Sequence, residues 1–378
     1  MKILFAHNSI PEYRLPWFME LSKLSDCVFL ITNPALAKKI YITDGETYID
    51  KELQCIYLKK GVRGYKILFE HLKSNSYDFI EMPPVDSLGE LFKSWILLLY
   101  AKKANIGTGY FWEKWEAPKT MQPIKMKLKN FLIGRAAKSV YKRVDIVFSP
   151  GKKNKEYFMK NGVSGNKIVW LPDSCEIPLC DYQDLRKKYI IPNDAKIVLY
   201  FGRIIQQKGL DILIHAFNKL NKSTDAKIFL LIAGDGSFKN YCEDLAKRLK
   251  IKNICFCGRI EPHERYNFFS QCDIFVHPGT FYEGRTDVWG LTLNEAIQCG
   301  KIIISTDAVG SAYDLINVKN GYLVSSGNVN ELFEALKNAI LNENLVFEAK
   351  NENAKIRKIY NSANMAKCFI EGVEKIKI

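Results

Sequence analysis

The sequence lacks the long apolar run that a membrane-spanning helix requires. Its longest apolar stretch, Trp95–Ala101, has seven residues, whereas a transmembrane helix needs about 20. The apolar run Ile3–Ala6 is likewise too short for the core of a signal peptide, and it predicts a first β-strand instead. We therefore expect a cytoplasmic protein with no segment that crosses a membrane.

Metal-binding patterns are also absent from the sequence. The five histidines show no paired spacing, and the ten cysteines are scattered, mostly within apolar segments. Cys255 and Cys257 are the one tight pair, and without a second pair they favour buried thiols over a zinc site. Free thiols are typical of a reducing compartment. No metal and no other cofactor is expected.

The composition is that of a globular protein with an excess of positive charge. With 378 residues, 47% hydrophobic and 25% charged, the chain is long enough for two domains of ordinary size. Its 55 basic and 41 acidic residues give a net charge of +14. Such a charge favours an anionic partner, and nucleic acid, an acidic lipid surface or a phosphorylated small molecule would each qualify.

Short β-branched apolar runs alternate with longer amphipathic runs, which predicts parallel sheets with crossover helices. Strands are predicted at Ile3–Ala6, Val28–Thr32, Cys55–Leu58, Phe79–Glu81, Asn105–Thr108, Ile146–Ser149, Ile197–Phe201, Ile228–Ala233, Ile254–Cys257, Ile274–His277, Ile302–Ser305 and Tyr322–Val324. Leu171–Asp184, aperiodic and with two prolines, predicts a linker. We expect an α/β protein of two doubly wound, Rossmann-like domains, 1–175 and 176–360, with a C-terminal helix in 361–378 that packs back on the first domain.

A strand followed by a glycine-flanked basic loop is the first candidate for chemistry. Ile197–Phe201 leads into Gly202–Gly209, which carries Arg203 and Lys208, and a helix follows. Two cations at the carboxyl end of a strand, beside a helix N-terminus, can hold a diphosphate. The alternative is a solvated loop with two incidental cations.

A pair of carboxylates forms the second candidate. Asp287 and Glu295 stand eight residues apart with Gly290 between them, and an apolar helix is predicted from about Leu291. The first amides of that helix can bind phosphate, and Glu295 would lie on the same side. The alternative is an amphipathic helix with a capping acid.

Taken in order, these segments resemble the retaining family 4 glycosyltransferases, which have the two-domain GT-B architecture. The resemblance covers about residues 198–324. It rests on Gly202-Arg203, Lys208-Gly209, Ala233-Gly234-Asp235-Gly236, Phe256-Cys257-Gly258-Arg259, Trp289–Ala296, Cys299-Gly300, Ser305-Thr306-Asp307 and Val309-Gly310. It implies two Rossmann-like domains that face each other across a cleft, the first binding the acceptor and the second a nucleotide sugar.

The resemblance also implies roles for individual residues. Arg203 and Lys208, in the loop that begins at Gly202, would hold the donor diphosphate in place of a metal ion, and Asp287 would contact the transferred sugar. Glu295 would accept hydrogen bonds from the ribose hydroxyls. The phosphate would also contact Gly290, Leu291 and Thr292, and the nucleobase would contact Arg259 and Ile260.

Three features depart from the family pattern. Aspartate stands at position 287, where the family usually has glutamate. The glycine-rich turn after the first strand is replaced by His7–Arg14, and the histidine often found in the first domain has no counterpart. That neighbourhood, Gly109–Glu116, is aromatic and acidic; Glu113 could contact the acceptor, or the loop could pack its tryptophans inward. His277, which ends a predicted strand, is at the edge where a ligand would bind.

A basic stretch predicts contact with an anionic membrane surface. Between Met121 and Arg143 the chain has seven basic and no acidic residues, interleaved with apolar ones. A helix of this kind can lie on acidic lipid, at about 1 kcal/mol for each Lys or Arg near the surface. The alternative is a crossover helix with a solvated basic face.

The predicted activity is that of a metal-independent, retaining hexosyltransferase. The donor is expected to be a UDP-sugar, with GDP second, and the acceptor a glycan or lipid-linked glycan of a polysaccharide or lipopolysaccharide pathway. A peripheral position on the inner face of the cytoplasmic membrane fits such an acceptor. The alternatives are a sugar-nucleotide epimerase of the same architecture and a nucleic-acid-binding protein, although no recognised nucleic-acid module is present.

Overall fold

The computed structural model describes residues 1–34 and 53–376 and contains two compact units. The first comprises Met1–Lys114, Ile124–Cys175 and Asn361–Ile378, and the second comprises Trp115–Pro123 and Glu176–Tyr360. Each is an α/β unit built on one parallel sheet, which confirms the predicted fold class. The chain therefore leaves the first unit briefly at 115–123, returns to it, and ends in it.

The first unit is built on a seven-stranded parallel sheet of order β3-β2-β1-β4-β5-β6-β7. Its helices and strands before Glu176 are β1 Lys2–His7, α1 Leu15–Leu24, β2 Asp26–Ile31, β3 Cys55–Tyr57, α2 Val62–Ser74, β4 Phe79–Met82, α3 Leu88–Ala104, β5 Gly107–Phe111, α4 Ile124–Tyr141, β6 Ile146–Ser149, α5 Lys152–Lys160 and β7 Ile168–Trp170. The buried interiors of β1 and β4 explain their near-continuous apolar sequences.

The second unit is built on a six-stranded parallel sheet of order β10-β9-β8-β11-β12-β13. Its elements are α6 Leu185–Lys188, β8 Lys196–Phe201, α7 Leu210–Asn221, β9 Ile228–Ala233, α8 Lys239–Arg248, β10 Ile254–Gly258, α9 Arg265–Gln271, β11 Ile274–His277, α10 Thr292–Gln298, β12 Ile302–Thr306, α11 Ala312–Leu315, β13 Gly321–Val324, α12 Val329–Leu341 and α13 Glu343–Ile359. The strand order reverses between β8 and β11, and ligands of doubly wound sheets bind beyond the carboxyl ends at such a point.

The last helix, α14 Ser362–Glu374, belongs to the first unit. It packs against α1, and Phe369 stacks on Phe148 with ring centroids 4.6 Å apart. Gly372 permits this approach, because a Cβ there would lie 2.8 Å from the Phe148 ring. The C-terminal segment thus completes the aromatic core of the first unit.

The structure differs from the predicted elements at two strands of the first sheet. The fifth strand is Gly107–Phe111 and not Asn105–Thr108; Asn105 caps α3 in a left-handed conformation, and two glycines obscure the strand that follows. The edge strand Ile168–Trp170 was not predicted, since three residues give too little periodicity to detect.

Candidate active site

The loop that carries Lys208 is fixed against the segment that follows the neighbouring strand β11. Gly209 ends the loop with a φ of +64°, and a Cβ at this position would collide with the carbonyl oxygen of Pro278. The amide of Thr280 donates to the carbonyl of Gln207 over 2.8 Å, and the Gln207 side chain donates to the carbonyl of Thr286 over 2.8 Å. Lys208 is therefore positioned from both sides.

Lys208, Asp287 and His277 form one contact cluster at the carboxyl ends of β8 and β11. The Lys208 ammonium pairs with Oδ2 of Asp287. Nε2 of His277 lies 2.9 Å from the same oxygen and 3.5 Å from the Lys208 nitrogen. Residues 79 positions apart in the chain thus meet because their strands are neighbours in the sheet.

The backbone of Asp287 is held in place by its own hydrogen bonds. Its amide donates to the carbonyl of Ala308 over 3.0 Å, and its carbonyl accepts from Gly310 over 2.9 Å. The indole of Trp115 donates to the same carbonyl over 3.3 Å. This role of Trp115, whose indole packs against Phe281 and Tyr313, was not predicted from the sequence.

The cluster has distinct charge states at neutral pH. Burial, together with the charge of Lys208, lowers the pKa of His277 to about 3, so the imidazole is neutral. Burial alone would raise the pKa of Asp287, but the nearby charges of Lys208 and Arg203 bring it below its ordinary value. Asp287 is therefore an anion, paired with one ammonium and one neutral ring.

Glu295 lies on α10 and is paired with a residue that the sequence analysis did not single out. Its side chain is 3% exposed, and its carboxylate forms an ion pair with Arg265, at the start of α9. Oε2 of Glu295 and Nε of Arg265 are both buried without a hydrogen-bond partner among the described residues. Burial raises the pKa of Glu295 against the opposing charge of Arg265. One acceptor and one donor of this ion pair thus lack a hydrogen-bond partner.

The segment between the two carboxylates places Gly290, Leu291 and Thr292 beside the cluster. Gly290 has a φ of +83°, and a Cβ there would lie 2.7 Å from Val309. The Thr292 hydroxyl lies 3.4 Å from Nδ1 of His277. Helix α10, which starts at Thr292, has only seven residues; its dipole is correspondingly a minor source of positive potential.

The remaining predicted donor contacts lie along the same sheet edge. Gly202 directly follows β8 and donates its amide to Ala233 over 3.0 Å, and the exposed Arg203 comes next. Arg259 and Ile260 follow β10, two strands away from β8. Arg259 is exposed, whereas Ile260 packs against the apolar core. These residues lie at the same edge of the second sheet as Lys208. None of the described hydrogen bonds or ion pairs joins them to Lys208.

Glu113 belongs to a separate cluster in the first unit. Buried Arg14 pairs with Glu113 and with Asp173, whose Oδ2 accepts from the guanidinium over 2.9 Å. Burial and the neighbouring charge of Asp173 raise the pKa of Glu113, against the opposing charge of Arg14. Two carboxylates and one cation therefore meet beyond the ends of β5 and β7.

Among residues 1–34 and 53–376, no group of three His, Cys, Asp or Glu side chains is placed to hold a metal ion. Within the same residues, no helix combines the length and the apolar character needed to traverse a bilayer.

The family model for glycosyl transferases group 1 matches residues 181–358. An uncharacterized glycosyltransferase of Methanocaldococcus jannaschii, MJ1069, is 26% identical over 258 residues, which are 67% of this chain and 64% of that protein. The N-acetylgalactosamine-N,N'-diacetylbacillosaminyl-diphospho-undecaprenol 4-alpha-N-acetylgalactosaminyltransferase of Campylobacter jejuni is 27% identical over 244 residues, 63% of this chain and 59% of that enzyme. The chain thus spans less than two thirds of the length of these relatives.

Solved structures resemble the whole chain. Anabaena Alr3699/HepE in complex with UDP superposes with a TM-score of 0.76 at 16% identity, covering 100% of both chains. WaaG, a glycosyltransferase involved in lipopolysaccharide biosynthesis, gives a TM-score of 0.65 at 14% identity over 99% of this chain and 100% of that one. At these identities the likeness establishes the fold. The chain therefore has the GT-B fold, and residues 181–358 match the family model for glycosyl transferases group 1.

Proposed function

We propose that this protein transfers a sugar from a nucleotide sugar to a hydroxyl group of a glycan or lipid-linked glycan, with retention of the anomeric configuration. The observation that carries the proposal is the cluster of Lys208, Asp287 and His277 at the switch point of the second sheet. Two comparisons support a nucleotide sugar as the donor. Residues 181–358 match the family model for glycosyl transferases group 1, and the fold resembles that of a UDP-bound structure. A UDP-sugar is the first donor to test and a GDP-sugar the second.

Departure of the nucleoside diphosphate is the step that the second unit is built to assist. Lys208 and Arg203 would bind the diphosphate and stabilise the negative charge that grows as the bond from sugar C1 to the phosphate oxygen breaks. Asp287 would hold a hydroxyl of the transferred sugar, and Glu295 the ribose. Two cations in this position make a metal ion unnecessary, so we expect transfer to continue in the presence of EDTA.

The acceptor side is assigned to the first unit. Glu113 is 22% exposed and is anchored by Arg14, whose other partner Asp173 is fully buried. We expect Glu113 to accept a hydrogen bond from an acceptor hydroxyl. The name of the relative from Campylobacter jejuni gives an undecaprenol-linked sugar as its acceptor. A lipid-linked glycan is therefore the acceptor to test first.

We also assign a membrane-binding surface to helix α4. Ile124, Leu128 and Leu132 repeat every four residues along one face and are 83%, 59% and 59% exposed, and Phe131 is 57% exposed. Exposed Lys125, Lys127 and Arg135 lie among them. Apolar side chains turned to solvent and flanked by cations fit an anionic lipid surface, and a crossover helix would instead bury them. We therefore expect a peripheral position on the cytoplasmic membrane.

The test is a binding screen of nucleotide sugars by calorimetry, followed by product analysis with lipid-linked glycan acceptors. We expect one nucleotide class to bind and its sugar to appear on the acceptor with retained configuration. Lys208→Ala should lower turnover more than it weakens donor binding, and Lys219→Ala, on the surface of α7, is the matched control. Isomerised sugar from donor alone would establish an epimerase instead, and salt-dependent binding of DNA or RNA with no donor binding would contradict the proposal.

A further inference from the structure

Arg265 lies between an aromatic ring and a buried carboxylate of the second unit. It is the first residue of α9, and its guanidinium carbon is 5.3 Å from the centroid of the Phe201 ring, at the end of β8. Its Nη2 pairs with Oε1 of Glu295, on α10. Two elements besides α9 therefore contact the guanidinium, one at its face and one at its edge.

The ion pair makes only one of the two bonds that a guanidinium edge can form with a carboxylate. Nη2 and Nε lie along the same edge of the planar guanidinium, and a carboxylate that faces this edge can accept from both. Oε1 of Glu295 is paired with Nη2. Nε of Arg265 and Oε2 of Glu295 are both buried and have no hydrogen-bond partner among the described residues. One donor and one acceptor of the same pair are thus unsatisfied, which is unfavourable for buried polar atoms.

A hydroxyl group can satisfy both of these atoms at once. Its oxygen accepts from Nε–H of Arg265, and its own proton is donated to Oε2 of Glu295. A second carboxylate could only accept and an ammonium group could only donate, so neither matches the pair. The unsatisfied atoms therefore fit an alcohol, and the nucleotide of the proposed function has two hydroxyl groups on its ribose.

Arg265 is the member of the ion pair that has room to move. Its side chain is 27% exposed, whereas that of Glu295 is 3% exposed. Because Nε and Oε2 are both closed to solvent, a hydroxyl group reaches them only when the guanidinium shifts. An aromatic ring attracts a guanidinium within about 6 Å of its centroid, so a small shift retains the contact with Phe201.

We propose that Arg265 is a ribose-binding residue: its Nε–H donates to the ribose hydroxyl that itself donates to Oε2 of Glu295. Arg265 then contacts the nucleotide in addition to pairing with the carboxylate. Burial raises the pKa of Glu295 and the charge of Arg265 opposes this rise, so the pair also favours the ionised carboxylate that accepts from the ribose. This inference rests on the proposed function and adds a second residue to its ribose site.

The first test separates the directional contact of Arg265 from its charge. Arg265→Lys retains a positive charge beside Glu295 but removes the planar fork. We expect it to raise the Kd for UDP about tenfold, the equivalent of one hydrogen bond to a charged group. Arg248→Lys is the matched control, because Arg248 is exposed on α8 and also lies over an aromatic ring, that of Tyr241; the Kd for UDP should not change. Calorimetry measures the affinities, and thermal melting verifies that each variant folds.

The second test uses nucleotides that lack one ribose hydroxyl. For one of 2'-deoxy-UDP and 3'-deoxy-UDP, the one without the shared hydroxyl, Arg265→Lys should leave the Kd nearly unchanged, because the group that Arg265 contacts is already absent. The guanosine nucleotides replace the uridine set if the donor screen identifies GDP.

Two results would overturn the inference alone: an unchanged Kd for UDP in Arg265→Lys, or an equal loss of affinity for UDP and both deoxy nucleotides, which would mean that Arg265 only maintains the local structure. Absence of nucleotide binding by the unmodified protein would overturn the proposed function together with the inference. The two failures are therefore distinguishable.

Discussion

At the scale of single residues, the ion pair between Glu295 and Arg265 gives a direct test of the ribose assignment. Oε2 of Glu295 is buried and has no hydrogen-bond partner among the described residues, and we expect a ribose hydroxyl to donate to it when the nucleotide binds. Glu295→Ala should raise the Kd for UDP about tenfold to a hundredfold, since a hydrogen bond to a charged group contributes roughly 1.5–3 kcal/mol. Calorimetry with UDP and 2'-deoxy-UDP measures this.

Comparing the affinities for UDP and 2'-deoxy-UDP distinguishes the loss of the ribose contact from a general disturbance of the binding site. The unmodified protein should prefer UDP over the deoxy nucleotide, and Glu295→Ala should remove that preference. Glu348→Ala, at an exposed position of α13, should leave both affinities unchanged. Equal discrimination in Glu295→Ala and the unmodified protein would remove the assignment.

At the scale of elements, the loop between β8 and α7 depends on the close approach of Gly209 to Pro278. Gly209→Ala adds a Cβ at a left-handed φ of +64° and against a backbone carbonyl, so the loop must shift. We expect a loss of roughly 1–3 kcal/mol in the free energy of unfolding from strain of this kind, and a loss of turnover because Lys208 moves. Gly165→Ala, where a Cβ meets nothing within 4 Å, is the control. Normal turnover in Gly209→Ala, measured beside thermal melting, would contradict this account of the loop.

The elements also divide into those that the sequence predicts and those that it does not. Ile228–Ala233 and Ile274–His277 form the strands predicted from their apolar runs, because a buried parallel strand is apolar throughout. The contact of Lys208 with Asp287 follows from the strand order, which places β8 beside β11 and cannot be deduced from the spacing of the two residues in the sequence. The pairing of Glu295 with Arg265 and of Asp287 with Trp115 depends on tertiary packing, because Arg265 and Trp115 lie outside the motifs, and neither partner could be predicted from the sequence.

At the scale of the whole molecule, the charge of +14 and the exposed face of α4 predict binding to anionic vesicles. Exposed Lys125, Lys127 and Arg135 would together contribute about 3 kcal/mol at about 1 kcal/mol each. Changing all three to glutamine should therefore weaken partitioning about a hundredfold. Flotation with phosphatidylglycerol-containing vesicles, and with phosphatidylcholine alone, measures this at low and at high salt.

The apolar part of the same face needs its own variant. Leu128→Ser, Phe131→Ser and Leu132→Ser combined should abolish flotation even at low salt, because insertion of these side chains would stabilise the bound state beyond the charge contribution. Leu341→Ser, Val346→Ser and Phe347→Ser remove exposed apolar residues of the second unit without a basic helix around them, and they should leave flotation unchanged. Equal loss in both triple variants would point to nonspecific adhesion. Retained flotation in the α4 variant would exclude this face as the membrane-binding surface, because the side chains that define it would then be unnecessary.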